Sequence, residues 1–215
     1  MAMAKTKEEK EEVVRITPPN FQRIKLSLEG MAPLLIGRFS PISLEKMKKK
    51  HEAGSTSKKG EKKAPRDFDA DFKQAAHIST EGWYGVPAGA LRNSCIAACR
   101  MVDFRMTHAR MSIFFEMDGT SIDGQPLIKI IGGVPEKSEM AVRNANGSCD
   151  IRVRAIWRTW KINVIVRYDA DQFTSEEVVN LIARTGEQVG ICQGRPFSKS
   201  SNGIGCGTFR ILEGK

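Results

Sequence analysis

Cations and glycines, rather than nucleophiles or metal ligands, are the residues whose spacing in this sequence carries chemistry. From Cys149 to Tyr168, arginine and lysine keep to alternate positions. Arg152, Arg154 and Arg158 share one parity in the first half, and Lys161 and Arg167 share one in the second. Ile151, Val153, Ala155 and Trp157, then Ile162, Val164, Val166 and Tyr168, take the other parity. Side chains alternate across a strand. Strands over Cys149–Arg158 and Trp160–Tyr168 would each have one apolar and one cationic face. Paired as neighbours, they would gather five cations on one face beside only Asp150 and Asp169. Like charges on adjacent strands repel, so such a face calls for a counter-anion. A phosphate backbone supplies one, and the arginine fork matches it.

A second phosphate-suited stretch follows. Gly190, Gly194 and Arg195 lead through Lys199 and a Ser/Asn cluster to Gly203, Gly205 and Gly207, just before a final strand, TFRIL. Backbone N–H groups in such a loop, flanked by cations, suit an anion. The glycines precede a strand and lack the G-x-x-x-x-G-K-S/T pattern, which excludes a P-loop. The formal net charge is +9, most of it on one segment. Lys46, Lys48, Lys49, Lys50, Lys58, Lys59, Lys62, Lys63 and Arg66 stand there against only Glu52 and Glu61.

Enzyme chemistry finds little support. The histidines are His51, His77 and His108, and nothing in the sequence pairs them. HExxH and GxSxG are absent. Asp67, Asp69 and Asp71 alternate in RDFDADF, where they suit the first turn of a helix better than a divalent ion. The five cysteines, Cys95, Cys99, Cys149, Cys192 and Cys206, are odd in number and form no CxxC pair. They read as small buried hydrophobes in a reducing compartment. No cofactor, metal or catalytic residue is expected.

The elements that must position these residues read as follows. Residues 1–16 are expected to be a disordered arm, and 17–215 a single domain with a mobile Lys-rich insertion at about 46–66. Phe21 to Gly30 alternates as a strand, with Phe21, Arg23, Lys25 and Ser27 opposite Ile24, Leu26 and Leu28. Residues 43–51 suit a short helix and 67–78 a helical turn. A helix from Pro87 to about Met101 would bury Leu91, Cys95, Ala98 and Val102. Ser112 to Met117 and Leu127 to Ile131 read as a hairpin or two short strands, and 132–148 as a long loop. Thr174 and Glu177 make a capping box for a helix that Gly186 would stop. Trp83, Tyr84, Trp157, Trp160 and Phe197 are candidate base platforms. Core burial is the expectation for any one of them, Trp157 on the apolar face above all, although Trp160, next to the turn, could be exposed. The fold class is α+β: a ferredoxin-like (RRM-like) antiparallel sheet with two packing helices and additional strands.

That core, with a glycine-rich region before its last strand and a long insertion, resembles the RAMP superfamily of CRISPR RNA-binding subunits. Gly190, Gly194, Arg195, Gly203, Gly205 and Gly207 would correspond to the glycine-rich region, and Lys46–Arg66 to the insertion. A phage-encoded relative acting on single-stranded DNA is equally compatible. The resemblance implies a homo-oligomer or filament along the nucleic acid.

The expected function is sequence-tolerant binding of single-stranded DNA or RNA. The residues expected to carry it are Arg152, Arg154, Arg158, Lys161, Arg167, Arg195, Lys199, Gly203, Gly205 and Gly207, with Lys48, Lys49, Lys50, Lys58 and Lys59. A virion or scaffold protein whose basic face meets an acidic protein is the alternative. A metal-independent ribonuclease using His77 and His108 is the second. No apolar run reaches the roughly 18 residues a membrane span needs, and the first residues lack a secretory pattern, so a cytoplasmic location is expected.

Overall fold

The period-two pattern at the start of the chain forms β1 (Phe21–Gly30). Ile24, Leu26 and Leu28 turn toward the core, and Arg23, Lys25 and Ser27 toward solvent. The computed structural model describes residues 16–52, 54, 65–143, 147–197 and 203–212. After β1 come β2 (Leu34–Ile36), α1 (Pro41–Glu52), α2 (Phe68–Ala75), β3 (His77–Ile78), β4 (Tyr84–Pro87) and α3 (Ala88–Ala98). A 3-10 turn, Cys99–Val102, ends α3 and is followed by α4 (Met106–Ser112), β5 (Ile113–Phe115), β6 (Gly119–Thr120) and β7 (Pro126–Ile131). The chain continues as β8 (Glu136–Arg143), β9 (Cys149–Trp157), β10 (Lys161–Asp169), α5 (Ser175–Arg184), a π-helical turn (Thr185–Val189) and β11 (Phe209–Ile211).

The fold is α+β, and every pairing between these strands is antiparallel. The larger sheet runs β11-β1-β10-β7-β4-β3, with β5 also on β10 and β6 on β7. The smaller runs β2-β9-β8. β1 and β10 share the longest ladder of the larger sheet, from Phe21 opposite Asp169 to Glu29 opposite Lys161. One face of that sheet is apolar: Leu28, Ile128, Ile162, Val164, Val166 and Tyr168 pack with Leu91 and Cys95 of α3 and with Val178 and Ile182 of α5. α5 starts on the expected capping box. Thr174 Oγ1 accepts from the Glu177 amide at 3.2 Å, and Glu177 Oε2 accepts from the Thr174 amide at 2.7 Å. No helix among the described residues is long and apolar enough to cross a membrane.

Several expectations change. β9 and β10 do not pair with each other: β9 lies between β2 and β8, and β10 between β1 and β7. The five cations of this stretch are thus divided between two sheets. The stretch 132–148, read as a loop, contains β8. Of the two readings for 112–131, two short strands holds and the hairpin does not: β5 and β7 both pair with β10 and not with each other. Gly186 does not stop its helix. The helix runs on as the π turn, and Gly190, at φ 69°, ends it. Gly186 instead lies against the Phe209 carbonyl, where a Cβ has no room. Val102 is 44% exposed, because the 3-10 turn and the left-handed Asp103 swing it off the α3 stripe. Trp160, beside the turn, follows the expectation of core burial rather than the exposure its position allows: it is 2% exposed. It fills the notch above Gly30 and donates its Nε1–H to the Ala32 carbonyl at 2.8 Å. α1 is longer than read from the sequence and buries none of its residues.

Candidate nucleic-acid interface

Among the described residues, no helix covers the face of the larger sheet opposite α3 and α5. Lys25, Ser27, Lys129, Lys161, Asn163 and Arg210 are all exposed on it. Its cations are partly spoken for. Lys161 Nζ lies 2.9 Å and Arg210 Nη2 2.7 Å from the same carboxylate, Glu29, and these hydrogen bonds hold Glu29 below its ordinary pKa. Arg23 pairs with Glu116 at 2.5 Å. The Arg167 guanidinium sits 4.7 Å from the Phe21 ring centre and 4.9 Å from that of Phe114. Arg92 covers Phe114 as well, at 5.0 Å. The face is therefore a mosaic of compensated cations and aromatic rings, not the purely basic surface expected.

Arg152 and Arg154 project from β9 on the side where Met140 and Ser138 of β8 stand opposite them. Arg154 donates its Nε–H to Gln193 Oε1, and Gln193 is anchored by Gly37 and Leu35. Burial, and then the neighbouring Arg152 charge, press the Arg154 guanidinium below its ordinary pKa. Arg195 gives one guanidinium N–H to the Cys192 carbonyl at 2.8 Å, and its buried Nε has no hydrogen-bond partner. A buried donor without an acceptor is costly. Arg152 lies 3.9 Å from Asp150, and Arg158 pairs with Glu136 at 3.0 Å.

The glycine-rich loop is spent largely on packing. Gly207 gives its N–H to the Pro33 carbonyl and lies against the Ile191 backbone. Gly203 lies against the backbone of Arg195 and Pro196. The N–H groups of Ile204 and Cys206 both go to the Gly194 carbonyl. Of the three alternating glycines, Gly205 alone has open space around its α-carbon.

Trp83 occupies a seat that its own identity did not reveal. A Cβ on Gly85 would come within 3.0 Å of the indole, and one on Gly119 within 2.8 Å. The six-membered ring thus abuts two glycines of flanking strands, where a side chain would displace it. Its Nε1–H is held by Glu81 at 3.1 Å. Among the other aromatics, Tyr84 is half-buried edge-on against the buried Trp157, while Phe197 is exposed beneath Arg100.

Lys48, Lys49 and Lys50 are exposed on α1, with Lys49 paired to Glu45 at 2.9 Å. Lys58, Lys59 and Lys199, the arm at 1–15 and most of the expected insertion lie outside the described residues. Arg66, at the insertion's end, is engaged: it bonds Asp71 at 2.6 Å and the Ile151 carbonyl at 2.6 Å. Asp67 caps α2, and Asp69 meets Lys137 at 2.6 Å. His77 is buried in β3, its Nδ1 without a partner, and burial lowers its pKa. His108 stands edge-on to Phe104 in α4. None of the described contacts joins the two histidines.

Compared with protein-family models and with curated proteins, the chain matches none.

Proposed function

We propose that this protein binds single-stranded nucleic acid across the uncovered face of its larger sheet, with Arg154 and Arg195 as further phosphate ligands. The observation that supports this most is one-sided covering: among the described residues, helices pack on one face of the larger sheet only, and the other carries exposed cations beside half-buried aromatic rings. Single strands are bound by such platforms through stacking and backbone contacts.

The strand order β11-β1-β10-β7, with α3 and α5 on one face, fits a ferredoxin-like core to which the smaller sheet is added. Kinship with the RAMP superfamily, a cytoplasmic location and assembly along the strand belong to the same reading. Because carboxylates offset many of the cations, stacking contributes a larger share of the affinity than the net charge of the chain implies.

Fluorescence anisotropy with labelled single-stranded DNA, single-stranded RNA and duplex, each over a salt series, tests the proposal. Preference for a single strand over duplex is the expected result. No binding to any of them at low salt would overturn it.

A further inference from the structure

We infer that the groove beside Trp83 is a nucleobase pocket that favours a base with hydrogen-bond donors on its pairing edge, guanine above the others. The inference rests on the single-strand reading and adds to it one position at which sequence is read.

Two glycines create the platform. Gly85 stands opposite Lys129, and Gly119 opposite Leu127, on the strands that flank β7. With no Cβ at either, the indole of Trp83 rests on their backbone. Leu127 is 0% exposed although its neighbours Ile128 and Ile130 take the core side, consistent with the indole covering it. The ring is fixed at both ends. The Trp83 amide donates to Ser79 Oγ at 3.2 Å, and the indole N–H donates to Glu81 at 3.1 Å. The indole is thus seated against glycine backbone, and Trp83 lines a groove of about 330 Å³. That volume lies at the small end of the range for ligand sites.

The groove's other walls are Glu81, Asp118, Lys129, Ile131 and Asn163. An open aromatic face takes any base by stacking, and Ile131, 48% exposed, adds apolar wall. The polar walls discriminate. Ionised carboxylates only accept hydrogen bonds, and their two oxygens hold several acceptor sites. Glu81 has one bond committed to the indole, and Asp118 one to the Lys129 amide at 2.8 Å. Both keep further acceptor capacity. Guanine presents an imino and an amino N–H side by side. Adenine and cytosine present one amino group. Thymine and uracil present a single imino N–H flanked by carbonyl oxygens, which carboxylates repel. The same carboxylates repel phosphate, so the base, not the backbone, enters, and Lys129 is left to meet the backbone at the rim.

The experiment uses the full chain and oligothymidylates carrying G, A, C, T or an abasic site at one central position. The G-containing strand should bind about tenfold more tightly than the abasic one, the order of one stacked base, and should quench Trp83 emission. Trp83→Ala should bring the G-containing and abasic strands to equal affinity. Trp83→Phe should keep most of it, which separates loss of stacking from loss of fold. Glu81→Gln with Asp118→Asn should narrow the gap between G and T. Equal binding of G and abasic strands by the parent, or an undiminished G advantage in Trp83→Ala, would overturn the pocket and leave single-strand binding standing. No binding of any strand would overturn both.

Discussion

Arg154 donates its Nε–H to the side-chain amide oxygen of Gln193, 39 residues further along the chain. The partner is an amide and not a carboxylate, so the guanidinium is positioned while its charge stays uncompensated. Arg158 and Lys161, by contrast, each meet a glutamate.

This contrast orders the expected effects of substitution. Arg154→Ala and Arg195→Ala should each lower the log–log salt slope of single-strand binding by about 0.7, the value of one phosphate contact. Arg158→Ala and Lys161→Ala should lower it less. Gln193→Glu should weaken binding by supplying the missing negative charge. Equal slopes for all four alanine variants would remove Arg154 and Arg195 from the interface.

Arg167 should behave as a structural residue. Its guanidinium is held between Phe21 and Phe114, so Arg167→Ala should cost about 1 kcal/mol of stability, the order of exposed cation–π contacts. The salt slope should stay near the parent's. Urea denaturation and a salt titration of the same variant decide the matter. An unchanged midpoint with a reduced slope would return Arg167 to the phosphate ligands.

His77 should give stability a slope in mild acid. Burial and the nearby Arg38 charge depress its pKa below the ordinary 6.5. The unfolded chain then takes up a proton at a pH where the folded chain does not. The contribution is complete above 6.5, is lost as pH falls from there toward the depressed value, and then levels off. Thermal melts of His77→Gln should be flatter across that window. A slope identical to the parent's would assign it to other groups.

Thr174→Ala removes the side-chain half of the capping box on α5, the hydroxyl that accepts from the Glu177 amide, and leaves the backbone N–H that Glu177 accepts. The loss should be about 1 kcal/mol, a fall of roughly 2–4 °C in Tm for a chain of this size. Thr174→Ser should restore most of it. A full Tm in the alanine variant would show that the packing of Val178, Leu181 and Ile182 alone holds the helix.

The sequence disclosed those parts of the fold whose periodicity is unambiguous. Phe21–Gly30 and Lys161–Asp169 alternate cleanly because one face of each is core; alternation fixes the buried face, and the structure supplies their register. Thr174–Glu177 declared a helix start because capping is a local hydrogen-bond pattern. β8 stayed hidden because an edge strand with Glu136, Lys137, Glu139 and Met140 has no apolar face to show. α4 stayed hidden because its N-cap, Arg105, makes no side-chain cap. The pairing of β9 with β10 was misread because closeness in sequence favours a hairpin, whereas burial of Trp157 and Trp160 sends the chain from one sheet to the other. At the candidate site, Trp83 was recognisable as a residue type, but its seat depends on Gly85 and Gly119, which belong to separate strands. Only the pairing of those strands with β7 places the three residues together.

The chain changes sheet after Gly30, after Ile36, after Ile131 and again after Trp157, and Gln193 bridges β2 only sixteen residues before β11 rejoins the larger sheet. Leu34, Ala155 and Trp157 of the smaller sheet belong to the same apolar cluster as Val164 and Val166 of the larger. Neither sheet is a separable foldon: opening one strips contacts from the other. Denaturation followed at Trp157 and by backbone circular dichroism should trace one coincident transition, so a destabilising change at the sheet junction is felt as far away as the open face.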